Sequence, residues 1–367
     1  MDRVAPPTLP DVARQAGVST ATAARALGNY GSVSAKSRLK VEAAAAELGY
    51  RANGLARSMI TGTTNTLGVV LSDIENPFFS RVLRGITDTA HHAGFEVVLI
   101  NTDEQVDVER TAVRVLTEKR VDGLLVCPTD GAQIDHLRDA EVGGTPLVLV
   151  DRRLKGLDAD SVEVDNRAAA RRATEYLIGL GHERIALITG IEDAMAGRFR
   201  PELVGIESAM VNTTAGRAAG YRDALRAAGL AIDLDYVTLQ GFRQVDAIRA
   251  THRLLELAVP PTALLSLDST LALGALQAIR EAGLTCPEDI SVIGFDDADW
   301  TEALTPPLTV VAQPVQRIGS EACTLLLERI RGDQREPVHK VLRTSLVERG
   351  SVSPVTVHRR HGTRVSS

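Results

Sequence analysis

Residues 9–27 read LPDVARQAGVSTATAARAL, and this stretch decides the fold of the first domain. Thr8 opens a capping-box pattern (TLPD) with a proline in the first turn, which predicts that a helix begins here. Gly17 supplies a turn, and Ser19 predicts the N-cap of a second helix over 20–27. A helix, a glycine-containing turn and a second helix make up the helix-turn-helix pattern.

A third helix is predicted after a loop that contains Gly28 and Gly31. Ser34 predicts its N-cap and Gly49 its end. Its expected core stripe consists of Leu39, Val41, Ala45 and Leu48. The core positions expected in the first two helices are Val12, Ala13, Ala16, Ala23, Ala26 and Leu27. These sets predict a small three-helix domain.

The charge of the chain is unevenly distributed. The 367 residues carry a formal net charge of −6, yet residues 1–62 contain eight lysines or arginines against four acidic residues. A basic head on an acidic body is typical of a domain that contacts the phosphates of nucleic acid. The length fits one small and one large domain.

The sequence disfavours secreted and membrane proteins. No apolar run approaches the ~20 residues that span a bilayer, and the first residues lack the apolar segment of a signal peptide. Cys127, Cys286 and Cys323 are isolated in the sequence, which predicts reduced, mostly buried thiols. We therefore expect a cytoplasmic protein.

From Leu67 onward, apolar strand patterns alternate with amphipathic helix patterns. The predicted strands cover 67–71, 96–100, 121–126, 146–150, 184–189, 262–267 and 290–295. The predicted helices lie near 78–92, 107–118, 167–179, 215–228, 244–257, 270–281 and 315–330. Apolar strands between helices indicate parallel sheets covered on both faces, and the length allows two such lobes. Ligands of these folds bind at the carboxyl ends of strands, here in the cleft between lobes.

Several strings resemble the LacI-type (LacI/GalR) family of bacterial transcription repressors. The head carries LPDVARQAGVSTATAARAL and VSAKSRLKVEAAAAELGYRANGLARSM, and the body carries TLGVVLSDIENPFFSRVLRGI, VEVDNRAAARRATEYLIGLGHERIALITG and PEDISVIGFDD. The resemblance covers roughly residues 8–350, and the order and spacing of the strings make it specific. It implies operator binding by the head and effector binding by a body like that of periplasmic binding proteins.

We therefore predict an α/β protein with an all-α helix-turn-helix head and two doubly wound lobes. The predicted parts are a DNA-binding domain over 1–51, a hinge helix or linker over 52–66, a bilobed effector-binding and dimerisation domain over 67–350, and a disordered tail over 351–367. We expect lobe one at about 67–166 and 297–330, and lobe two at about 167–296 and 331–350. The segment 190–213 is poorly patterned and is predicted to be a loop or insertion.

The resemblance implies that the second helix reads DNA in the major groove. Thr20, Ala21 and Arg25 are the predicted base contacts, with Arg25 at the family's guanine-reading position. The predicted phosphate contacts are Thr8, Ser19, Thr22, Ser34, Ser37 and Asn53. Ser19 and Ser34 are equally expected as plain N-caps, and a solvated surface arginine is the alternative for Arg25.

The linker matches the family's hinge helix, which folds on operator binding. The resemblance places Met59 as the apolar wedge in the minor groove, where leucine is usual. Ala52 stands where proline is common, and both changes are expected to loosen the hinge. The alternative is a plain interdomain linker without DNA contact from Met59.

Polar residues follow the predicted strands of the body. The resemblance implies that Asp151, Arg217, Asp268 and Asp296 line the effector cleft, and the other predicted effector-binding residues are Asp73, Phe78, Arg152 and Trp300. Carboxylates and a guanidinium hydrogen-bond the vicinal hydroxyls of a polyol, and Phe78 and Trp300 are expected to stack on a sugar ring. The alternatives are core packing for Phe78 and helix capping for Asp73. Asp268 replaces the family's usual asparagine, which shifts the expected preference toward hydroxyl-rich or cationic ligands.

No catalytic constellation, metal cluster or phosphate loop is visible in the sequence, so we predict neither an enzyme nor a cofactor. We predict a homodimeric, nucleoid-associated bacterial repressor of sugar or carbohydrate-utilisation genes, with no membrane partner. A small sugar or polyol is expected to release it from a palindromic operator. The alternatives are a co-repressed regulator that responds to a purine or another metabolite, and a sugar-binding protein without a regulatory role.

Overall fold

The computed structural model describes residues 7–28, 31–50, 62–190 and 212–355. These residues form two compact units. One comprises the described residues up to Thr66 together with Arg120–Asp122, and the other comprises Leu67–Lys119 and the described residues from Gly123 onward. The predicted hinge contacts, the tail beyond 355 and most of the segment 190–213 lie outside the described residues.

The first unit contains α1 (Leu9–Ala16), α2 (Thr20–Gly28) and α3 (Ala35–Leu48). Its helices begin where the capping residues predict. The Asp11 carboxylate accepts from the Thr8 backbone amide at 3.0 Å, Ser19 Oγ from the Thr22 amide at 3.1 Å, and Ser34 Oγ from the Ser37 amide at 3.2 Å. Each bond satisfies a backbone donor that has no partner within its helix.

Small apolar side chains from all three helices form the core of this unit, including Val12, Ala23, Val41 and Ala45. The prediction for Leu39 is wrong, because 68% of this side chain is exposed. Successive helix positions are 100° apart, so Leu39 lies about 200° around α3 from Val41 and points away from the core. Ala44 takes its place in the buried stripe.

The second unit follows in chain order. Its strands are β1 (Thr66–Leu71), β2 (Glu96–Asn101), β3 (Gly123–Val126), β4 (Leu147–Val150), β5 (Asp160–Val164), β6 (Ile185–Gly190), β7 (Val237–Gln240), β8 (Ala263–Ser266), β9 (Ser291–Phe295), β10 (Thr309–Ala312), β11 (His339–Leu342) and β12 (Ser345–Val347). Its α-helices are α4 (Pro77–His92), α5 (Val106–Glu118), α6 (Asp135–Val142), α7 (Asn166–Gly179), α8 (Asn212–Ala227), α9 (Gln244–Leu255), α10 (Ser269–Glu281), α11 (Asp299–Ala303) and α12 (Val315–Ile330), and Leu234–Tyr236 is a 3-10 turn. Across the described ranges, no helix has the length and apolarity to cross a membrane.

The strands form two six-stranded sheets, one in each lobe. The sheet of lobe one has the order β11-β5-β4-β3-β1-β2, and that of lobe two has the order β12-β10-β9-β8-β6-β7. In the sheet of lobe one, the neighbouring strands β11, β5, β4, β3 and β1 pair in parallel. In the sheet of lobe two, β10, β9, β8, β6 and β7 pair in parallel, whereas β12 pairs antiparallel to β10. The predicted doubly wound architecture is confirmed.

The chain crosses between the lobes at places that differ from the expected division. Strand β10 belongs to lobe two and β11 to lobe one, which reverses the assignment expected for these two segments. The sequence patterns missed five short strands: β5, β7, β10, β11 and β12. Four of them, β5, β7, β11 and β12, mix polar with apolar residues and lack the apolar run by which equally short strands such as β3 and β4 were recognised.

The core of lobe one is built around a close crossing of α4 and α12. A Cβ on Gly85 would lie 2.0 Å from the Gln316 carbonyl oxygen, and one on Gly319 would lie 2.0 Å from the Val82 carbonyl oxygen. Only glycine permits this backbone approach. The crossing holds α4 against the sheet, and its first turn then carries Asn76 and Phe78 to the carboxyl end of β1.

Candidate DNA-binding and effector sites

The exposed face of α2 carries the predicted base contacts. Thr20, Ala21 and Arg25 are all exposed, whereas Ala23 and Ala26 on the opposite face are buried. Arg25 Nε donates to the Ala21 carbonyl at 3.2 Å, which holds the side chain along its own helix. The face therefore presents one guanidinium beside two small side chains, an arrangement suited to a major groove.

The predicted phosphate contacts have local roles in capping. Ser19 Oγ lies 2.8 Å from Thr22 Oγ1, and Ser34 Oγ donates to Ser37 Oγ at 2.9 Å. Thr8 Oγ1 donates to the Asp11 carboxylate. These contacts are what N-caps require, so the phosphate contacts stay a prediction. Asn53 and Met59 lie outside the described residues.

A cavity of about 100 Å³ lies between the two lobes. Lobe one contributes Asp73, Asn76, Phe78, Glu104, Asp151 and Arg152. Lobe two contributes Thr189, Arg217, Phe242, Asp268 and Asp296. All of the predicted effector residues except Trp300 therefore line one cavity. Its size suits a small polar ligand and lies below that of drug-sized sites.

The prediction for Trp300 is wrong. Its side chain packs against the core of lobe two, beside Leu304 in the same apolar cluster, and does not line the cavity. It belongs to the short helix α11, which the sequence patterns did not predict. The aromatic residue that faces the cavity from lobe two is Phe242, which follows β7.

Asp151 and Asp296 are both buried carboxylates. Burial raises the pKa of Asp296 to about 7, although nearby Arg217 and a hydrogen bond from Gln313 Nε2 at 2.7 Å act in the opposite direction. Burial likewise raises the pKa of Asp151, opposed by Arg152 and Arg217. The Oδ1 atom of Asp151 is buried and has no hydrogen-bond partner among the described residues.

Arg152 is held by a residue that the sequence did not indicate. Its terminal nitrogens donate to the two carboxylate oxygens of Glu104 at 2.8 and 2.6 Å, and one of them also donates to the Pro128 carbonyl at 2.9 Å. This bidentate pair is itself largely buried. Glu104 follows β2 with φ +56°, and no sequence signal marked it as a partner of Arg152.

Arg217 is anchored from three sides. Its Nε donates to Asn166 Oδ1 at 2.7 Å and its Nη1 to the Leu267 carbonyl at 2.6 Å. The guanidinium carbon lies 4.3 Å from the centroid of the Phe295 ring, a cation–π contact. These contacts fix a buried positive charge opposite the carboxylates of Asp151 and Asp296.

Asp268 connects the lobes. Its Oδ1 accepts from the amides of Thr270 and Leu271 at 2.7 and 3.3 Å, which caps α10. Its Oδ2 accepts from Asn76 Nδ2 of lobe one at 2.9 Å. Asp73 stands apart from this network, since its carboxylate accepts from the Glu75 amide at 2.9 Å in a local turn.

Sequence reasoning missed Asn76, Thr189 and Phe242 in addition to Glu104. Asn76 stood in the quoted motif as the N-cap of α4, where its Oδ1 accepts from the Phe78 amide at 2.9 Å. Thr189 lies at the end of β6, and its buried hydroxyl has no partner among the described residues. The position of Thr189 at a strand end was the available signal. Within the described ranges, no group of three or more His, Cys, Asp or Glu residues is arranged to hold a metal.

The chain matches two family models. The one described as "Bacterial regulatory proteins, lacI family" matches residues 8–53, and the one described as "Periplasmic binding protein-like domain" matches residues 174–352. The transcriptional repressor CytR of Escherichia coli K12 is 36% identical over 94% of this chain and 96% of its own. The ribose operon repressor of the same organism is 34% identical over 94% and 99%.

Solved structures agree with these matches. The lac repressor dimer bound to operator and the anti-inducer ONPF superimposes with a TM-score of 0.79 at 28% identity, over 95% of this chain and all of that one. A LacI family regulator from Enterococcus faecium with bound ribose gives 0.68 at 29% identity, over 79% of this chain and all of that one. The relatives are transcription repressors, so the prediction of a regulator that is not an enzyme is confirmed. The chain belongs to the lacI family of bacterial regulatory proteins and is a DNA-binding transcription repressor.

Proposed function

We propose that this repressor is released from its operator by a monosaccharide of the pentose class, which binds in the cavity between the lobes. D-ribose is the specific candidate. The repressor acts as a cytoplasmic homodimer, and each copy of α2 reads one half-site of a palindromic operator. The dimeric lac repressor structure supports this assembly.

The buried Asp151 Oδ1 atom is the observation that carries the proposal. A buried carboxylate oxygen without a partner is costly, and a ligand that donates to it removes that cost. Thr189 Oγ1 is buried and unpartnered in the same cavity within the described residues. A ligand rich in hydroxyl groups satisfies both atoms, because each hydroxyl can donate and accept.

The walls of the cavity favour a small ring. Phe78 lines it from lobe one and Phe242 from lobe two, so each lobe contributes an aromatic side chain to the cavity. Arg217 and Asp296 are fixed before a ligand arrives, so little ordering is lost on binding. The small volume favours a monosaccharide over a disaccharide. The ribose-bound relative and the ribose operon repressor support the pentose class.

The test is a titration of the full-length chain with D-ribose, D-xylose, D-glucose and a purine nucleoside by calorimetry. We expect saturable binding of D-ribose that is at least tenfold tighter than that of the hexose. A gel shift with the operator nearest the gene then measures release. Binding without release would contradict the inducer assignment, and operator binding that requires a ligand would make the protein co-repressed.

A further inference from the structure

We propose that Asn76 and Asp268 form an interlobe clasp whose donor and acceptor are fixed by two helix caps. The clasp holds the cleft closed and thereby sets the effector affinity. The effect on affinity rests on the proposed function, because it requires that the effector bind in this cleft. Closure of the cleft can be measured without a ligand. The two residues act as positioning residues on opposite walls of the cavity.

The capping bonds decide which atoms meet across the cleft. Asn76 Oδ1 accepts from the Phe78 amide at the start of α4, which turns its Nδ2 group toward lobe two. Asp268 Oδ1 accepts from the first amides of α10, which turns its Oδ2 toward lobe one. The donor of one lobe therefore faces the acceptor of the other at 2.9 Å.

The identity of the residue at 268 matters for this geometry. An asparagine there would use its carbonyl oxygen as the cap, because only an oxygen accepts from the helix amides. Its amide group would then face the amide group of Asn76, donor against donor. The acidic residue in this chain is thus the one that matches Asn76.

A second interlobe contact lies one turn further along α4. Arg81 Nη1 donates to the Asp297 carbonyl at 2.6 Å, and Arg81 also pairs with the Asp299 carboxylate. Asp297 directly follows Asp296 of the cavity. The amino-terminal half of α4 is therefore tied to the carboxyl ends of β8 and β9, two neighbouring strands of lobe two that are followed by Asp268 and Asp296.

Closure raises affinity because a ligand held by both lobes binds only the closed state. The observed dissociation constant is the intrinsic one divided by the fraction of closed molecules. A lost bond to a charged group is expected to weaken binding roughly tenfold. The clasp residues line the cavity, so the experiment must separate an effect on closure from a lost contact with the ligand.

The experiment is a double-mutant cycle with Asn76→Asp, Asp268→Asn and the reciprocal double variant. Asparagine and aspartate are equally good N-caps, so each variant keeps both helix starts and its fold. Asn76→Asp places two carboxylates opposite each other across the cleft, and Asp268→Asn places two amide groups opposite each other. The double variant restores one donor and one acceptor in reversed positions. Asp233→Asn, which makes the same change at a cap outside the cleft, is the matched control.

The first readout is the distance between lobes in the ligand-free protein. Spin labels are attached at Val142→Cys and Val259→Cys, which are 82% and 57% exposed in lobes one and two. Labelled chain is diluted in unlabelled chain so that each dimer carries one labelled copy. We expect longer distances in both single variants and the wild-type distance in the double variant and the control. Equal distances in all proteins would overturn the clasp.

The second readout is the affinity for D-ribose by calorimetry. We expect each single variant to bind roughly tenfold more weakly and the double variant to recover to within about threefold of wild type. Weakening by Asp268→Asn that the second substitution does not rescue would mean that Asp268 acts by contacting the ligand, which overturns the claim that the clasp sets the affinity. If wild type binds neither D-ribose nor D-xylose, the pentose proposal fails, while the distances still decide the clasp.

Discussion

Asp151 and Asp296 occupy matching positions in the two lobes. Each is the first residue after a buried parallel strand, each is buried, and each has left-handed backbone, with φ of +66° and +69°. Aspartate, asparagine and glycine tolerate this conformation, whereas other residues are strained there. The backbone therefore aims one carboxylate from each lobe into the cavity, where burial raises the pKa of both and nearby Arg217 partly opposes that rise.

Asp151→Asn is expected to abolish the response to D-ribose and to leave the protein at least as stable at neutral pH, because it removes a buried carboxylate whose pKa is raised by burial. Asparagine fits the left-handed backbone and keeps the side-chain shape, but it replaces one acceptor oxygen with a donor and removes the charge. Asp151→Ala is expected to lose the response and to be about 1–2 kcal/mol less stable than Asp151→Asn, because alanine is strained in the left-handed backbone. Calorimetry and chemical unfolding measure the two effects. Equal stability of the two variants would contradict the strain argument.

Asp296→Asn is expected to stabilise the protein at pH 8 and to have little effect on stability at pH 4. The pKa of about 7 in the folded state lies above the ordinary value near 4, so the folded protein binds this proton more tightly than the unfolded chain. The carboxylate therefore costs stability increasingly as pH rises from 4 to 7. The gain from the substitution is at most about 4 kcal/mol above pH 7. Urea unfolding at both pH values measures it, and a larger gain at pH 4 would refute the assignment.

The same carboxylate is expected to make D-ribose binding depend on pH. A sugar hydroxyl donates to the ionised form of Asp296, so affinity should rise about tenfold between pH 6 and pH 8. Arg217, Gln313 and Asp268 lie around the Asp296 carboxylate, and all three are present at both pH values. Affinity that falls with rising pH would mean that neutral Asp296 donates to the ligand. Asp296→Asn should show a weaker dependence, and the remainder then belongs to Asp151, whose pKa is also raised by burial.

Local signals explain what could be predicted from sequence. Thr8, Ser19 and Ser34 fix helix starts because a cap satisfies backbone donors within a few residues, and Asp151 and Asp296 were found because parallel strands end at one edge. The partner of Asp268 is 192 residues away, and no local pattern encodes a bond that depends on how two lobes meet. The placement of Phe242, rather than Trp300, at the cavity depends on that same tertiary packing.

The corrected aromatic assignment leads to a paired prediction. Trp300→Phe should bind D-ribose within about twofold of wild type and should lose about 1–2 kcal/mol of stability, because it only reduces packing in lobe two. Phe242→Leu should weaken binding three- to tenfold, because it removes an aromatic face from the cavity. Calorimetry and thermal unfolding separate the two outcomes. A ribose defect in the Trp300 variant with a normal Phe242 variant would restore the original assignment.

Arg25→Ala is expected to remove operator selectivity while leaving most of the salt-dependent affinity for random DNA. A bidentate arginine–guanine contact is worth about 1–3 kcal/mol, so the ratio of operator to random-sequence affinity should fall roughly 5- to 150-fold per half-site. The same ratio should fall almost as far in Arg25→Lys, because lysine cannot make the forked contact. Arg14→Ala is the matched control, since Arg14 is exposed on α1, pairs with Asp11 at 3.1 Å and carries the same charge. Fluorescence anisotropy over a range of salt concentrations measures both quantities. Arg14→Ala should weaken binding to operator and to random-sequence DNA equally. Selectivity that survives in the Arg25 variants would show that α2 does not read the operator through this residue.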